Sequence, residues 1–270
     1  MKRKTLLIAL STFSQIHSVQ ASWFADTPLQ PVYQALVNHQ PQLAWQELIL
    51  AMSNNNIDSQ YWLPAKQEIL KQTSCGQELF DHDESLPADI SVTFIRRSGL
   101  SSQGFQIKLS AESVSAPSNV KLISPSKSVL LEGLLARQKS YQEIESKEIL
   151  VEPRSGIYQL KTGESTYRLV ISQPSNQNWL KLDNTIQQLT VNLPLETAGC
   201  TNPIAAWQWF DSQYNLLGRR IPITQSTTPI PTSKHKPQGA KNLSATASIF
   251  EYQQNVKIEY IQRIAIPLTP

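Results

Sequence analysis

The sequence predicts a mainly β protein with an N-terminal helical cap, and two changes of hydrophobic rhythm carry that prediction. Between Leu29 and Leu70 apolar residues recur at every third and fourth position, which is one face of a helix. From Ile90 onward they alternate with polar residues, as in a strand with one face turned inward. Short stretches of this kind, broken by Pro, Gly, Asn and Ser clusters, continue to the C-terminus. That pattern predicts one or two immunoglobulin-like β-sandwich blocks.

The first element is a leader. Lys2, Arg3 and Lys4 form a basic start, Thr5 to Ile16 a short apolar run, and Val19-Gln20-Ala21 a small-x-small cleavage pattern. A membrane span needs about 20 apolar residues, so this run predicts export and cleavage after Ala21. No Cys follows it, which predicts a mature N-terminus at Ser22 without a lipid anchor. The 24 basic and 21 acidic residues include three basic and no acidic ones in the leader, so the mature chain balances at 21 of each. Broad electrostatic attraction to nucleic acid or to an anionic membrane is therefore not expected. Nor does any later segment reach membrane-span length, which predicts a soluble periplasmic protein.

The helical region, residues 22–86, divides in three. Leu29, Val32, Tyr33, Leu36 and Val37 make the first stripe, and Asn38-His39-Gln40 interrupts it. Pro41 suits the first position of a second helix, whose stripe is Ala44, Trp45, Leu48, Ile49 and Met52. After Asn54-Asn55-Asn56, Ser59 is placed to cap a third helix through Trp62, Ala65, Ile69 and Leu70, which stops at Cys75-Gly76. The first pair resembles one tetratricopeptide hairpin. Solenoids need about three repeats, so a helical cap packed on the rest of the chain is the alternative.

In the first β block, residues 87–174, strands are expected around Ile90 to Phe94, Phe105 to Leu109, Val120 to Ile123 and Ile149 to Val151. Val129 to Ala136 fits a strand or a short helix. Gly156 to Leu160 and Tyr167 to Ile171 resemble a late hairpin of secreted sandwiches, with Lys161 to Glu164 as its turn. The second block, residues 175–270, predicts strands at Trp179 to Leu182, Ile186 to Leu193, Ala205 to Phe210, Tyr214 to Leu217, Ser248 to Tyr252 and Val256 to Pro267. The Pro- and Thr-rich span 222–242 reads as a long mobile loop.

Cys75 and Cys200 are the whole cysteine content. In an oxidising compartment the pair reads as a disulfide, worth about 4–5 kcal/mol for so long a loop, against two free buried thiols. Neither has a Cys or His neighbour at metal-ligand spacing, and no metal or cofactor is expected. Asp81-His82-Asp83-Glu84 has the oxygen chemistry of a hard-cation site but sits where a solvated linker belongs. His39 falls in a turn and His235 in the long loop.

Ser124-Pro125-Ser126-Lys127 and Lys161-Thr162-Gly163 match two elements of penicillin-binding enzymes. The intervening Ser-Asp-Asn is missing and the two lie too close in sequence. No catalytic residue is therefore assigned, and the chain is expected not to be an enzyme. Trp207 and Trp209 alternate on one strand, so both indoles share a face. Inward, they are core. Outward, they make a platform on which sugar rings stack.

The leader, Thr27-Pro28-Leu29 through Ala44-Trp45-Gln46-Glu47-Leu48, Trp62-Leu63-Pro64 and Cys75-Gly76 together resemble a domain-of-unknown-function family of exported proteins from marine gammaproteobacteria. The resemblance implies a periplasmic location and supplies no activity and no site residues. The expected function is a non-enzymatic protein that binds an envelope protein. The alternative is a cell-wall glycan- or peptidoglycan-binding module using Trp207 and Trp209.

Overall fold

In a computed structural model, which describes residues 27–80, 88–99, 103–174, 178–194, 199–213, 215–231 and 236–266, three helices follow the predicted rhythm. They are α1 (Gln30–Val37), α2 (Pro41–Asn54) and α3 (Ser59–Gln72). Val32, Leu36, Ala44, Trp45, Leu48, Trp62, Ala65 and Ile69 form their common core. Val37 does not join it and is 65% exposed, because α1 ends there. The cap of α3 is Asp58 rather than Ser59: its carboxylate accepts the Gln60 N–H at 3.0 Å. The leader, the acidic run at 81–84 and His235 lie outside the described residues.

Fourteen strands follow among the described residues: β1 (Asp89–Ser98), β2 (Gln103–Glu112), β3 (Ser118–Ile123), β4 (Val129–Leu135), β5 (Gln142–Glu145), β6 (Gly156–Thr162), β7 (Ser165–Ile171), β8 (Leu180–Asp183), β9 (Gln188–Val191), β10 (Ile204–Phe210), β11 (Leu216–Pro222), β12 (Thr227–Pro229), β13 (Asn242–Gln253) and β14 (Val256–Ile266). The ambiguous run from Val129 is thus a strand. Ile149 to Val151 is not. Ile149 makes a single bridge to Phe105, while Leu150 and Val151 are 79% and 76% exposed. The strand in that region is β5, which pairs with β2.

The sheets do not follow the expected division at residue 174. A seven-stranded sheet runs β11-β10-β13-β14-β1-β2-β5 and so draws on both blocks. Its two halves meet where β1 and β14 lie parallel, Phe94 beside Tyr260. A four-stranded sheet, β4-β3-β6-β7, and a three-stranded one, β12-β9-β8, complete the layers. One core serves all three: Val92, Phe94, Leu109, Leu122, Tyr158, Leu169, Trp179, Leu189 and Ile258 belong to it. Phe94 stacks on Tyr260 with ring centroids 5.9 Å apart and meets the Tyr158 ring edge-on at 5.6 Å.

The span 222–242 is also corrected in part. It contains β12, whose Thr227 and Thr228 pair with Thr190 and Leu189, and it buries Ile223 and Ala240. β-branched threonines favour extended backbone, and Pro229 is tolerated because β12 is an edge strand.

Two links hold the helices to the sheets. Cys75 and Cys200 form the expected disulfide, with Cα atoms 4.7 Å apart. In α3, the buried Lys66 ammonium donates to Glu251 Oε1 at 2.7 Å and to Ser172 Oγ at 2.8 Å. The same Glu251 oxygen accepts from Gln253 Nε2 at 2.6 Å and Tyr260 OH at 3.2 Å. Gln253 in turn closes the free edge of β7. Its amide accepts the Val170 N–H at 2.7 Å and donates to the Val170 carbonyl at 2.9 Å, as a neighbouring strand would.

Candidate functional site

A groove of about 1060 Å³ opens between the helical cap and the four-stranded sheet. Alternation in β6 and β7 creates its floor. Tyr158, Leu160, Leu169 and Ile171 face the sandwich core, so Ile157, Gln159, Arg168 and Val170 face the other way. The helices cover Ile157 and Val170 and leave Gln159 and Arg168, which pair across the two strands, on the groove. One wall is the end of α2, the loop after it and the start of α3, from Ser53 to Ser59. The other is the β3–β4 turn, Ser124 to Lys127, with the segment from Glu152 to Ser155.

Local chemistry fixes that second wall. The Tyr158 hydroxyl donates to the Arg154 carbonyl at 2.7 Å, and burial holds this phenol well above its ordinary pKa, so it stays a donor. Ser155 Oγ accepts the Gln173 N–H at 2.9 Å. Gly156 has φ +148°, and a Cβ there would sit 2.9 Å from Pro125 Cγ, so glycine lets the turn close on the loop.

The lining is mixed, polar and apolar in about equal parts. Lys127, Arg154 and Arg168 supply exposed cations and Asp58 and Glu152 carboxylates, with Ser, Asn and Gln side chains beside apolar ones from Met52, Ile57, Trp62, Ile123 and Ile157. Gln173 Nε2 is a buried donor without a partner among the described residues. Such an atom lacks the acceptor that a buried amide ordinarily has.

Ser124 lies in this groove but is not primed as a nucleophile. Its Oγ is 2.7 Å from Ser128 Oγ and 2.9 Å from Ser126 Oγ, and it accepts the Ser128 N–H at 3.2 Å. The segment is a strand-to-strand turn with Lys127 at φ +65°, so no helical turn stacks the lysine on the hydroxyl. Lys161 pairs with Lys121 and Gly163 with Asn119, towards the far end of β3, so the two matched elements do not meet. Among the described residues no group of His, Cys, Asp and Glu gathers to hold a metal ion.

Trp207 and Trp209 correct the stacking-platform alternative. They are 3% and 2% exposed and belong to the sandwich core with Ala205, Leu243 and Ala245. A sugar needs an open ring face, and both faces are occupied by protein. Sequence reasoning missed the groove because loops from three separate regions build it. Only Ser124 and Lys127 carried a signal, and the structure places that motif in a strand-to-strand turn.

The family model described as "Protein of unknown function (DUF2861)" matches residues 23–269. The chain belongs to the DUF2861 family. A comparison with curated proteins returns no match. A solved structure titled "Biofilm associated protein - BSP domain" is 14% identical over 67% of this chain, with a TM-score of 0.22. The match spans 30% of that protein's length, and a score this low carries no argument about either fold or role. No helix among the described residues is long and apolar enough to cross a membrane.

Proposed function

We propose that this DUF2861 protein is an exported, non-catalytic binding protein of the periplasm, and that the groove between cap and sheet receives its envelope partner. The observation that carries the reading is the groove itself: a wide cleft that sets three cations, two carboxylates and several Ser, Asn and Gln side chains among apolar ones. Ser124, whose motif suggested a nucleophile, is engaged by Ser126 and Ser128. Export is supported by the leader, by the start of the family match at residue 23 just past the expected cleavage, and by a disulfide, which persists in oxidising compartments.

The glycan alternative passes from the two tryptophans to this groove, whose hydroxyl and amide lining matches sugar hydroxyls. One experiment separates the readings. The wild type and an Arg154→Glu/Arg168→Glu variant are cross-linked in an envelope fraction and, separately, mixed with soluble muropeptides. A specific protein captured by the wild type and lost by the variant supports the leading reading. Muropeptide binding lost in the variant replaces it with the glycan reading. Equal behaviour of both proteins in both assays overturns the groove as the site.

A further inference from the structure

The face of the seven-stranded sheet that points away from the core carries a second, unrelated feature. On β14, Ile258 and Tyr260 face the core, while Ile261 and Arg263 face outward. Arg263 lies beside Arg97 of β1 on one side and Thr246 of β13 on the other. Its guanidinium carbon is 5.8 Å from the centroid of the Phe210 ring. Phe210 is on β10, beyond β13, so the arginine side chain runs diagonally over β13. Ser244 occupies the outward face of β13 between them, paired with Gln208 and Ala265.

Two polar atoms here have no partner among the described residues: Ser244 Oγ, on a side chain 5% exposed, and Arg263 Nε. A third cation is close by. The pairing of β11 with β10 shifts between Trp207 and Trp209, and this bulge lies opposite Gln208. Arg220 is in the bulge. Burial lowers the Arg263 pKa most, and the like charges of Arg97 and Arg220 push it the same way against Glu145. The nearby carboxylates are already engaged. Glu148 takes Arg97 Nη2 at 3.2 Å, and Glu145 accepts from Gln106 Nε2 at 2.8 Å.

We infer that Arg97, Arg220 and Arg263, with Ser244, form a binding site for an oxyanion of the phosphate class. Glu148 offsets only one of these three charges, so the guanidiniums still repel one another at Arg263, and an anion turns that repulsion into attraction. Both orphan atoms are shielded from solvent, so the anion supplies their acceptors only as the Arg263 side chain lifts off β13. A tetrahedral dianion presents oxygens in more directions than a planar carboxylate, so it matches donors that converge from three strands.

The test is thermal unfolding of the whole protein in inorganic phosphate at constant ionic strength, with chloride as comparator. The wild-type midpoint rises by several degrees as phosphate saturates the site. Arg263→Gln and Arg220→Gln each weaken phosphate binding by about tenfold or more. Arg219→Gln removes the same charge from the neighbouring exposed position and leaves the binding intact. If Arg263→Gln fails to fold, Arg220→Gln on the exposed edge strand decides. Vesicles of phosphatidic acid in phosphatidylcholine identify the source: retention on them marks a lipid headgroup, and phosphate binding without retention marks the free ion. No phosphate-specific rise in the wild type, or an equal rise in both test variants, overturns the site.

Discussion

At the scale of single residues, burial decides what a conspicuous side chain can do. Trp207 and Trp209 stand out in the sequence, yet their core neighbours Ala205, Ala245 and Ala247 are small, and the indoles fill the space that those residues leave. Trp207→Ala therefore opens a cavity and costs about 3–5 kcal/mol. Urea unfolding measures this, and a loss near zero would put the ring outside the core. Ser124 makes the complementary point: its hydroxyl meets two neighbours, Ser126 and Ser128, through three hydrogen bonds that knit the turn. By contrast Gln173 and Ser244 drew no attention as letters. They matter because folding buries each while leaving one polar atom unpartnered, and no spacing rule encodes that.

At the scale of elements, what was legible is what has a period. The stripes through Trp45 and Trp62 gave α2 and α3, and the alternations through Val92 and Leu109 gave β1 and β2. β5 was missed because Gln142-Glu143-Ile144-Glu145 holds one apolar residue, and its strand identity comes from pairing with β2. Ile149 to Val151 misled for the opposite reason, since apolar residues need not be buried when the chain is crossing between sheets. The Lys66–Glu251 contact was invisible because the partners lie 185 residues apart and Lys66 resembles any polar helix position. Burial depresses the Lys66 pKa while Glu251 opposes it, so the ammonium depends on that carboxylate. Removing one partner leaves a buried charge alone. Lys66→Met is expected to cost about 3–5 kcal/mol, and Lys66→Met/Glu251→Leu to recover a large share. A double-mutant cycle in denaturant measures the coupling, and simple additivity would mean the two charges do not depend on each other.

At the scale of the whole molecule, the cap is joined to the C-terminal half by chemistry rather than by a continuous sheet. The Cys75–Cys200 bridge closes a loop with a sequence separation of 125 and anchors the turn after α3 beside the approach to β10. Next to it Gly76, at φ +89°, lets the backbone lie against the Tyr252 carbonyl, where a Cβ would come within 1.9 Å. A loop of this length lowers the entropy of the unfolded chain enough to stabilise the fold by about 5 kcal/mol. Reduction, or Cys75→Ser with Cys200→Ser, should therefore lower the urea midpoint strongly while the far-ultraviolet circular dichroism of the folded protein stays the same. The Lys66 network and the contacts of Val170 and Ile157 with the helices are not disulfide-dependent, so the cap stays docked in the reduced protein at low denaturant. An unchanged midpoint would show that the unfolded chain is already constrained without the bridge. Loss of helical signal on reduction alone would show that the disulfide, not the buried polar network, holds the cap over the four-stranded sheet. The groove would then lose a wall whenever the bridge opened, and partner capture would become redox-dependent.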